Sequence, residues 1–213
     1  MSALPFIIVG AGGHAKVLAD ALLTTGATLK GFTDADPSRW PQQLLDLPVL
    51  GNDDFLLKTF SPQSVMLVNG IGSVASTRKR REVFDNFKQR GYNFATVQHP
   101  HSMVSRHARL GEGVQVLAGA VIQVSSVIGD NCIINSNASV DHDCEIGAHV
   151  HIAPGVTLSG GVKIGSGSHI GTGAIVIQGI RIGAACVIGA GAVVTRDVQD
   201  GVTAIGIPAR DRS

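Results

Sequence analysis

Residues 128–151 read IGDNCI INSNAS VDHDCE IGAHVH when they are divided into sixes. Each six begins with Ile or Val and carries Cys, Ala or Val at its fifth position. The same phase continues in both directions: all sixteen first positions from Val104 to Val194 are aliphatic, and all sixteen fifth positions from Ala108 to Val198 are small or aliphatic. A fixed short period of this kind indicates a repeat architecture, in which each unit packs on its neighbours in sequence.

Each six is interpreted as a short strand followed by a tight turn. The first residue points inward and the small fifth residue fills the corner beside it. Gly follows the aliphatic residue at seven sites, where it is expected to permit the turn. Three sixes form one triangular coil of 18 residues, and coils stack at the strand spacing of about 4.8 Å. The sequence therefore predicts a parallel β-helix of about five coils.

The three cysteines all fall on the inward fifth position of this repeat: Cys132, Cys144 and Cys186. Cys132 and Cys186 are separated by three coils, which is about 14 Å along the axis at the usual strand spacing. A disulfide requires Cα atoms within about 7 Å. We therefore expect free, buried thiols, which suit a reducing compartment.

Residues 1–98 follow a different rhythm, in which short apolar runs alternate with helical stripes. The predicted strands are 6–9, 28–32, 65–68 and 93–97, and the predicted helices are 15–23 and 76–90. This alternation predicts a small parallel sheet with a ligand crevice at the carboxyl ends of its strands. The predicted organisation is an α/β domain resembling half of a Rossmann fold over residues 1–98 and a β-helix domain over residues 99–213.

A glycine-rich turn follows the first predicted strand. Gly10, Gly12 and Ala15 satisfy the pattern G-x-G-x-x-A, and Asp34 follows about twenty residues later. The domain has room for only half of a doubly wound fold, so a complete NAD site is not expected. A nucleotide diphosphate on the backbone N–H groups of Gly12, Gly13 and His14 is the preferred interpretation. A tight turn without a ligand is the alternative.

The overall composition excludes several classes of partner. Among 213 residues, 17 Lys and Arg balance 16 Asp and Glu, for a net charge of +1. This balance gives no indication of a nucleic-acid or membrane surface. No stretch reaches the roughly 20 apolar residues of a membrane span, and the N-terminal residues lack the basic region of a signal peptide. A cytoplasmic protein is expected.

One histidine stands out because of its place in the repeat. His142 occupies a third position, which projects away from the core, between Asp141 and Asp143. A neighbouring carboxylate orients an imidazole and raises its basicity. Gly160 follows 18 residues later and should lie directly over His142 on the next coil, with Gly161 keeping the corner open. A base beside a backbone N–H is the arrangement that acyl transfer needs.

Four segments together resemble a known family: GAGGH at 10–14, NSNASVDHDCEIG at 135–147, GGVKIG at 160–165 and GIPAR at 206–210. They are similar to the bacterial nucleotide-sugar N-acetyltransferases of the hexapeptide-repeat superfamily. These enzymes act on 4-amino-4,6-dideoxy sugars in O-antigen and other glycan assembly. The resemblance implies a left-handed β-helix, acetyl-CoA as co-substrate, no metal, and a homotrimer with its active sites between subunits. Asp143 after the histidine is most similar to members that use GDP-perosamine, whereas those of UDP-linked sugars carry Glu there.

The resemblance also implies roles for individual residues. His142 would be the general base, Asp143 its support, and the Gly160 N–H the oxyanion hole. The residues implied for acetyl-CoA are His151, Gly161, Thr172 and Ala190. Those implied for the nucleotide sugar are Gly12, Gly13, His14, Asp34, Asp36, Gly72 and Asn135. Lys163, Arg181 and Arg210 are candidates for CoA phosphate contacts, although lone charges are more often solvated. The family's trimer leaves open whether Asp143 and His151 serve their own or a neighbour's site.

Three other functions stay open. A sugar O-acetyltransferase, for example of the sialic-acid type, would use the same base and oxyanion donor. A γ-type carbonic anhydrase would need three histidines around Zn²⁺, and the spacing of His142, His149 and His151 does not match that family. His151 and His169, one coil apart, could stack near a metal. A nucleotide-binding scaffold without catalysis is the third alternative.

Overall fold

The N-terminal α/β region is built on a three-stranded parallel sheet. The computed structural model describes residues 4–212. In chain order the elements are β1 (Phe6–Val9), α1 (Gly13–Thr24), β2 (Leu29–Thr33), a 3₁₀ turn (Pro37–Arg39), β3 (Gln43–Leu44), β4 (Leu47–Pro48), α2 (Asp53–Thr59), β5 (Met66–Asn69) and α3 (Arg78–Gln89). The sheet has the order β2-β1-β5, and β3 and β4 form a separate hairpin. The predicted small parallel sheet is confirmed.

Helix α2 and the β3–β4 hairpin were not predicted from the sequence, and one predicted strand does not form. Helix α2 carried ordinary start signals, because the side chain of Asn52 accepts a hydrogen bond from the Phe55 N–H and two aspartates fill the first turn. The predicted strand 93–97 is wrong: Phe94 makes one bridge to Leu67, and the following strand pairs with the β-helix instead.

The rest of the chain forms the predicted β-helix, of about six turns. Its strands are β6 (Val97–Gln98), β7 (Met103–Val104), β8 (Arg109–Leu110), β9 (Gln115–Val116), β10 (Val121–Ile122), β11 (Val127–Ile128), β12 (Ile133–Ile134), β13 (Ser139–Val140), β14 (Glu145–Ile146), β15 (His151–Ile152), β16 (Thr157–Leu158), β17 (Lys163–Ile164), β18 (His169–Ile170), β19 (Ile175–Val176), β20 (Arg181–Ile182), β21 (Val187–Ile188), β22 (Val193–Val194), β23 (Thr203–Ile205) and β24 (Arg210–Asp211). The β-helix has one turn more than the five predicted, because its strand pairing already begins at β6. The division of domains at residue 98 stays a prediction.

Three parallel sheets form the faces of the helix. The domain face contains β6, β9, β12, β15, β18 and β21, and it lies against the α/β region. The apolar face contains β7, β10, β13, β16, β19 and β22, and four of its six outward residues are apolar: Met103, Val121, Ile175 and Val193, with Ser139 and Thr157 between them. The charged face contains β8, β11, β14, β17 and β20, with outward Arg109, Glu145, Lys163 and Arg181. Strands pair at an offset of 18 residues, as Val140 with Leu158.

The interior of the helix follows the predicted register. First-position residues from Val116 to Val194 are buried, and so are fifth-position residues from Val114 to Val198. The three cysteines are free and buried as predicted. The glycines that follow the aliphatic residue are needed for a different reason from the turn that was predicted. A Cβ at Gly129 would lie 2.6 Å from the Ala148 nitrogen, so close approach of the next coil requires glycine there. The left-handed backbone occurs at fourth positions such as Asp143 (φ 58).

Polar side chains join the α/β region to the domain face. Arg80 of α3 is 1% exposed and donates hydrogen bonds to the carbonyls of Asn69, Ile71 and Asn131. Thr77 donates to the Gly167 carbonyl at 2.9 Å. These contacts hold the carboxyl ends of β1 and β5 against the β-helix. No helix among residues 4–212 is long and apolar enough to cross a membrane.

Candidate active site

A pocket of about 650 Å³ opens where the carboxyl ends of β1 and β5 face the β-helix. It includes all seven residues that were predicted to bind the nucleotide sugar: Gly12, Gly13, His14, Asp34, Asp36, Gly72 and Asn135. The crevice at the carboxyl ends of parallel strands is the usual ligand position in α/β sheets. The structure therefore brings the predicted residues together from four separate segments. We call this cavity the nucleotide pocket.

Helix α1 begins in this pocket with an open N-terminus. Gly12 is its N-cap, no side chain caps the helix, and no acidic residue lies in its first turn. A Cβ added at Gly12 or Gly13 would meet nothing within 4 Å. Packing within the chain therefore does not require glycine at these two positions, and the absence of side chains leaves the helix end accessible. Unpaired N–H groups and the helix dipole make such an end a site for phosphate.

Asp34 closes the glycine-rich turn from one side. Its Oδ2 accepts the Ala11 N–H at 2.8 Å and its Oδ1 accepts the Asp36 N–H at 2.9 Å. Arg39 donates to the Ala11 carbonyl at 2.8 Å and lies 3.9 Å from both carboxylates. Arg39 and Lys79 both line the pocket, and neither was predicted from the sequence, because no motif marks these two cations.

His14 is held neutral in one tautomer. The Gln115 amide donates to the Asn69 carbonyl at 2.8 Å, so its Oε1 is the acceptor that faces His14 Nε2 at 2.8 Å. His14 therefore carries its hydrogen on Nε2 and keeps Nδ1 as an acceptor. Burial and, second, the charge of Arg80 lower the pKa of His14 to about 4. At neutral pH the ring accepts a hydrogen bond but contributes no charge.

His151 lies in a different place from the other residues predicted for acetyl-CoA. It is 6% exposed on the domain face and lines the nucleotide pocket. Thr172 and Ala190 are exposed third positions on the corner between the domain face and the apolar face. The His169 ring lies 4.9 Å from the His151 ring, centroid to centroid. Burial, then the neighbouring His169, lowers the pKa of His151 to about 3, so the ring stays neutral.

His142 and Asp143 lie on the next corner, between the apolar and charged faces. His142 Nδ1 is 2.7 Å from Asp143 Oδ2, and the His142 backbone N–H donates to Asp141 Oδ1. The hydrogen bond to Asp143 is the main cause that raises the pKa of His142, with smaller contributions from the charges of Asp141 and Asp143. With Nδ1–H directed at the carboxylate, Nε2 is left as a proton acceptor facing solvent.

Gly160 lies against this imidazole, one coil away. A Cβ at Gly160 would stand 2.5 Å from His142 Cε1 and 2.6 Å from Nε2. Along the β-helix the backbone N–H groups at the second, fourth and sixth positions of the repeat donate to carbonyls of neighbouring coils. The N–H at the third position has no such backbone acceptor. Side-chain oxygens accept that N–H at Glu112, Ser136, His142 and Ala184. Within residues 4–212 the N–H of Gly160 has no partner, so a base and an open donor lie side by side.

Substituting Gly160 by alanine tests this arrangement. We expect kcat to fall by about 10²-fold, because the new Cβ must displace the imidazole, and a misplacement of about 1 Å has an effect of that size. The backbone should tolerate the change, since Ala148 and Ala184 occupy third positions elsewhere. Initial rates and the melting temperature are the measurements, with Ser166→Ala as the third-position control. Unchanged kcat in Gly160→Ala would mean that this corner is not the reacting centre.

The two halves of the predicted site are apart within one chain. Neither His142, Asp143 nor Gly160 lines the nucleotide pocket. That pocket lies on the domain face, whereas His142 follows β13 of the apolar face. The whole width of the apolar face separates them. Within one chain the candidate base and the nucleotide pocket therefore lie on different sides of the β-helix.

The charged candidates for CoA phosphates differ in their surroundings. Lys163 forms an exposed ion pair with Glu145 at 2.7 Å on the charged face. Arg181 and Arg210 are exposed, and neither makes an ion pair within residues 4–212. A groove of about 830 Å³ runs along the charged face beside Lys163 and Arg181. Contacts of Lys163, Arg181 and Arg210 with CoA stay predictions.

The histidines show no metal site in the described part of the chain. No group of three or more His, Cys, Asp or Glu residues suited to a metal ion occurs among residues 4–212. Both ring nitrogens of His151 already have partners, Ser73 and Asn135. The His151–His169 pair therefore offers no free pair of nitrogens to a cation.

Comparisons with known proteins agree with this architecture. Residues 5–87 match the family described as PglD N-terminal domain, and residues 125–160 and 161–196 match that of bacterial transferase hexapeptide, six repeats. The chain is 40% identical to the perosamine N-acetyltransferase from Caulobacter crescentus, with a TM-score of 0.91, covering 100% of this chain and 98% of that one. That crystal structure is of a mutant with one histidine replaced by asparagine, in complex with CoA and GDP-perosamine.

Two further relatives have related descriptions. The acetyltransferase domain of PglB from Neisseria gonorrhoeae FA1090, in complex with acetyl coenzyme A, is 37% identical over 99% of this chain and 100% of that chain, with a TM-score of 0.90. A GDP-perosamine N-acetyltransferase from Escherichia coli O157:H7 is 36% identical over 106 residues, which span 50% of this chain and about half (48%) of that protein.

The fold and the paired families define a hexapeptide-repeat transferase. Specifically, the chain belongs to the hexapeptide-repeat acyltransferases that carry a PglD N-terminal domain, the group of the Caulobacter perosamine N-acetyltransferase. This membership agrees with the resemblance seen in the sequence, and the predicted fold class is confirmed.

Proposed function

We propose that this protein transfers an acetyl group from acetyl-CoA to the 4-amino group of a nucleotide-linked 4-amino-4,6-dideoxy sugar. GDP-perosamine is the preferred acceptor and a UDP-linked amino sugar the next, in the cytoplasmic assembly of O-antigen or a related glycan. One observation carries this proposal: the imidazole of His142 is hydrogen-bonded to Asp143 and lies against Gly160, whose N–H has no acceptor within residues 4–212. Relatives whose structures contain CoA together with GDP-perosamine support the choice of substrates.

The chemistry follows from the two groups at that corner. The neutral amine attacks the thioester carbonyl, a C–N bond forms, and the oxyanion accepts the Gly160 N–H. His142 Nε2 takes the proton that the amine loses, and Asp143 stabilises the resulting imidazolium. The C–S bond then breaks and the proton passes to the departing CoA sulfur. No acyl-enzyme is needed, and the three cysteines are buried inside the helix, including Cys144, whose thiol points inward to the Ser159 carbonyl.

We further propose a homotrimer whose sites lie between subunits. His142, Asp143, Gly160 and Gly161 of one chain would face the nucleotide pocket and the corner with Thr172 and Ala190 of its neighbour. Two observations support this assembly: the halves are apart in one chain, and the face between them is apolar, with Met103 45% and Ile175 43% exposed. An exposed apolar face marks an interaction surface, and a head-to-tail contact that closes gives a ring.

The direct test measures release of CoA thiol. We expect turnover with GDP-perosamine, a lower kcat/KM with a UDP-linked 4-amino sugar, and none with the corresponding 4-hydroxy sugars, which are the matched controls. Turnover of the hydroxy sugars alone would favour an O-acetyltransferase. Binding of the nucleotide sugar with no turnover of any acceptor would favour a non-catalytic scaffold, and either result would overturn the proposal.

A further inference from the structure

A serine that the mechanism does not use connects the nucleotide pocket to the β-helix. Ser73 belongs to the segment 70–74 after β5, which lines the pocket. Its Oγ lies 2.6 Å from Nδ1 of His151, on the domain face. On its other side His151 presents Nε2 to the Asn135 amide nitrogen at 3.0 Å. Three side chains from two domains thus form one continuous hydrogen-bonded chain.

The direction of each hydrogen bond in this chain can be assigned. Asn135 Oδ1 accepts the Ser136 N–H at 2.8 Å, so the amide nitrogen of Asn135 faces His151. That nitrogen donates, and His151 Nε2 must accept. The imidazole hydrogen is therefore on Nδ1, which donates to Ser73 Oγ. Because burial keeps the pKa of His151 near 3, no second ring proton is present at neutral pH.

This assignment determines which hydrogen bonds the Ser73 hydroxyl can still make. Its oxygen already accepts a hydrogen bond from His151, so its hydrogen remains available for another acceptor. Within residues 4–212 the Ser73 hydroxyl donates to no protein group. The segment runs beside the N-terminus of α1, since a Cβ at Gly72 would be 3.2 Å from His14 Cβ. The donor therefore lies in the same pocket as the open N–H groups of Gly12 and Gly13.

We propose that the chain Asn135–His151–Ser73 fixes the Ser73 hydroxyl as a hydrogen-bond donor to the diphosphate of the nucleotide sugar. His151 is then a positioning residue of the nucleotide pocket. This inference rests on the proposed function, because it takes the nucleotide diphosphate as the occupant. An anionic oxygen is the acceptor that such a donor stabilises most.

Removing the donor should weaken nucleotide binding selectively. We expect Ser73→Ala to raise the Kd for GDP, measured by calorimetry, and the KM for the nucleotide sugar by about tenfold or more, as for a lost hydrogen bond to a charged group. The KM for acetyl-CoA should not change. Ser73→Thr, which keeps the hydroxyl, should restore binding. Ser76→Ala is the matched control, since Ser76 lies in the same loop outside the pocket lining.

A second variant tests the direction of the chain. In Asn135→Asp the residue facing Nε2 becomes an acceptor, so the imidazole hydrogen moves to Nε2 and Nδ1 takes the hydrogen of Ser73. We expect the Kd for GDP to rise as in Ser73→Ala, and the double variant to bind no more weakly than either single variant. If the losses of GDP affinity in the two single variants add in the double variant, the new carboxylate repels GDP directly. That result would overturn the role of the chain Asn135–His151–Ser73.

The outcomes separate this inference from the proposed function. Wild-type protein that neither binds GDP nor releases CoA thiol would count against the function itself. Wild-type protein that binds GDP, together with an unchanged Kd in Ser73→Ala, would overturn the role of Ser73 alone. A raised KM for acetyl-CoA in Ser73→Ala would return His151 and its partner to the acetyl-CoA site and equally overturn the inference.

Discussion

Replacing His142 by alanine should lower kcat by about 10²–10⁴-fold, the usual contribution of a general base. The KM values should change little, because the exposed His142 side chain packs against the corner and not in the nucleotide pocket. The variant should keep its fold, since third positions in this helix point outward. Steady-state rates with both substrates and a melting curve are the measurements. Full activity in His142→Ala would remove this residue from the mechanism.

Replacing Asp143 by asparagine provides the matched test of how that base is tuned. The hydrogen bond from His142 to Asp143 raises the pKa of the imidazole, so its loss should lower that pKa. The acid limb of the pH profile of kcat/KM should then move to lower pH, and the plateau should fall because the base is weaker. Asparagine tolerates the left-handed backbone of position 143, so the turn should survive.

Asp141→Asn is the control for this pH profile. Asp141 accepts the His142 backbone N–H and contributes to the raised pKa only through its charge, behind the hydrogen bond of Asp143. We expect a smaller displacement of the acid limb. Equal displacements in the two variants, or none in Asp143→Asn, would show that the carboxylate at 143 does not support the base.

The β-helix was predictable in detail because every coil repeats the same packing problem. The count of 18 residues places Gly160 over His142, and the structure has that contact. The glycine-rich turn likewise predicted a ligand site at Gly12, Gly13 and His14, and all three line one pocket. Asp36, Gly72 and Asn135 were implied only by the resemblance to the family. In both cases a local pattern determines the backbone, and the backbone determines which side chains meet.

The contacts between the two domains were not predictable in this way. The register shows that His151 points outward on its face, but not that the α/β region covers that face. Arg80 is a second example: the sequence places it in a predicted helix but does not show that its side chain is buried against three carbonyls. Ser73 lies in the loop after β5, Arg39 in the 3₁₀ turn and Lys79 in the first turn of α3, and the sequence does not show that these three elements line one pocket. Side chains at such a junction carry no periodic signal.

A mixture of two inactive variants should regain activity if sites form between subunits. His142→Ala lacks the base. Gly13→Asp should lack nucleotide binding, because its carboxylate would stand at the α1 N-terminus, where a Cβ meets open space. An acidic residue in the first turn favours the helix, so folding should be retained. Gly13→Ala, which adds no charge, is the control and should keep most of its activity.

The expected yield follows from the arrangement proposed for the trimer. Each site takes its pocket from one chain and His142 from the next around the ring. In trimers formed by co-expression of the two variants in equal amounts, a site is intact only when a His142→Ala chain precedes a Gly13→Asp chain, which holds for about one quarter of the sites. Trimers purified through two different tags contain both variants and hold one intact site of three, so their activity should return to about one third of the wild-type value per subunit. If base and pocket served the same chain, every site would carry one defect and the mixed trimers would stay inactive. The separation of His142 from the nucleotide pocket by the apolar face leads us to expect recovery.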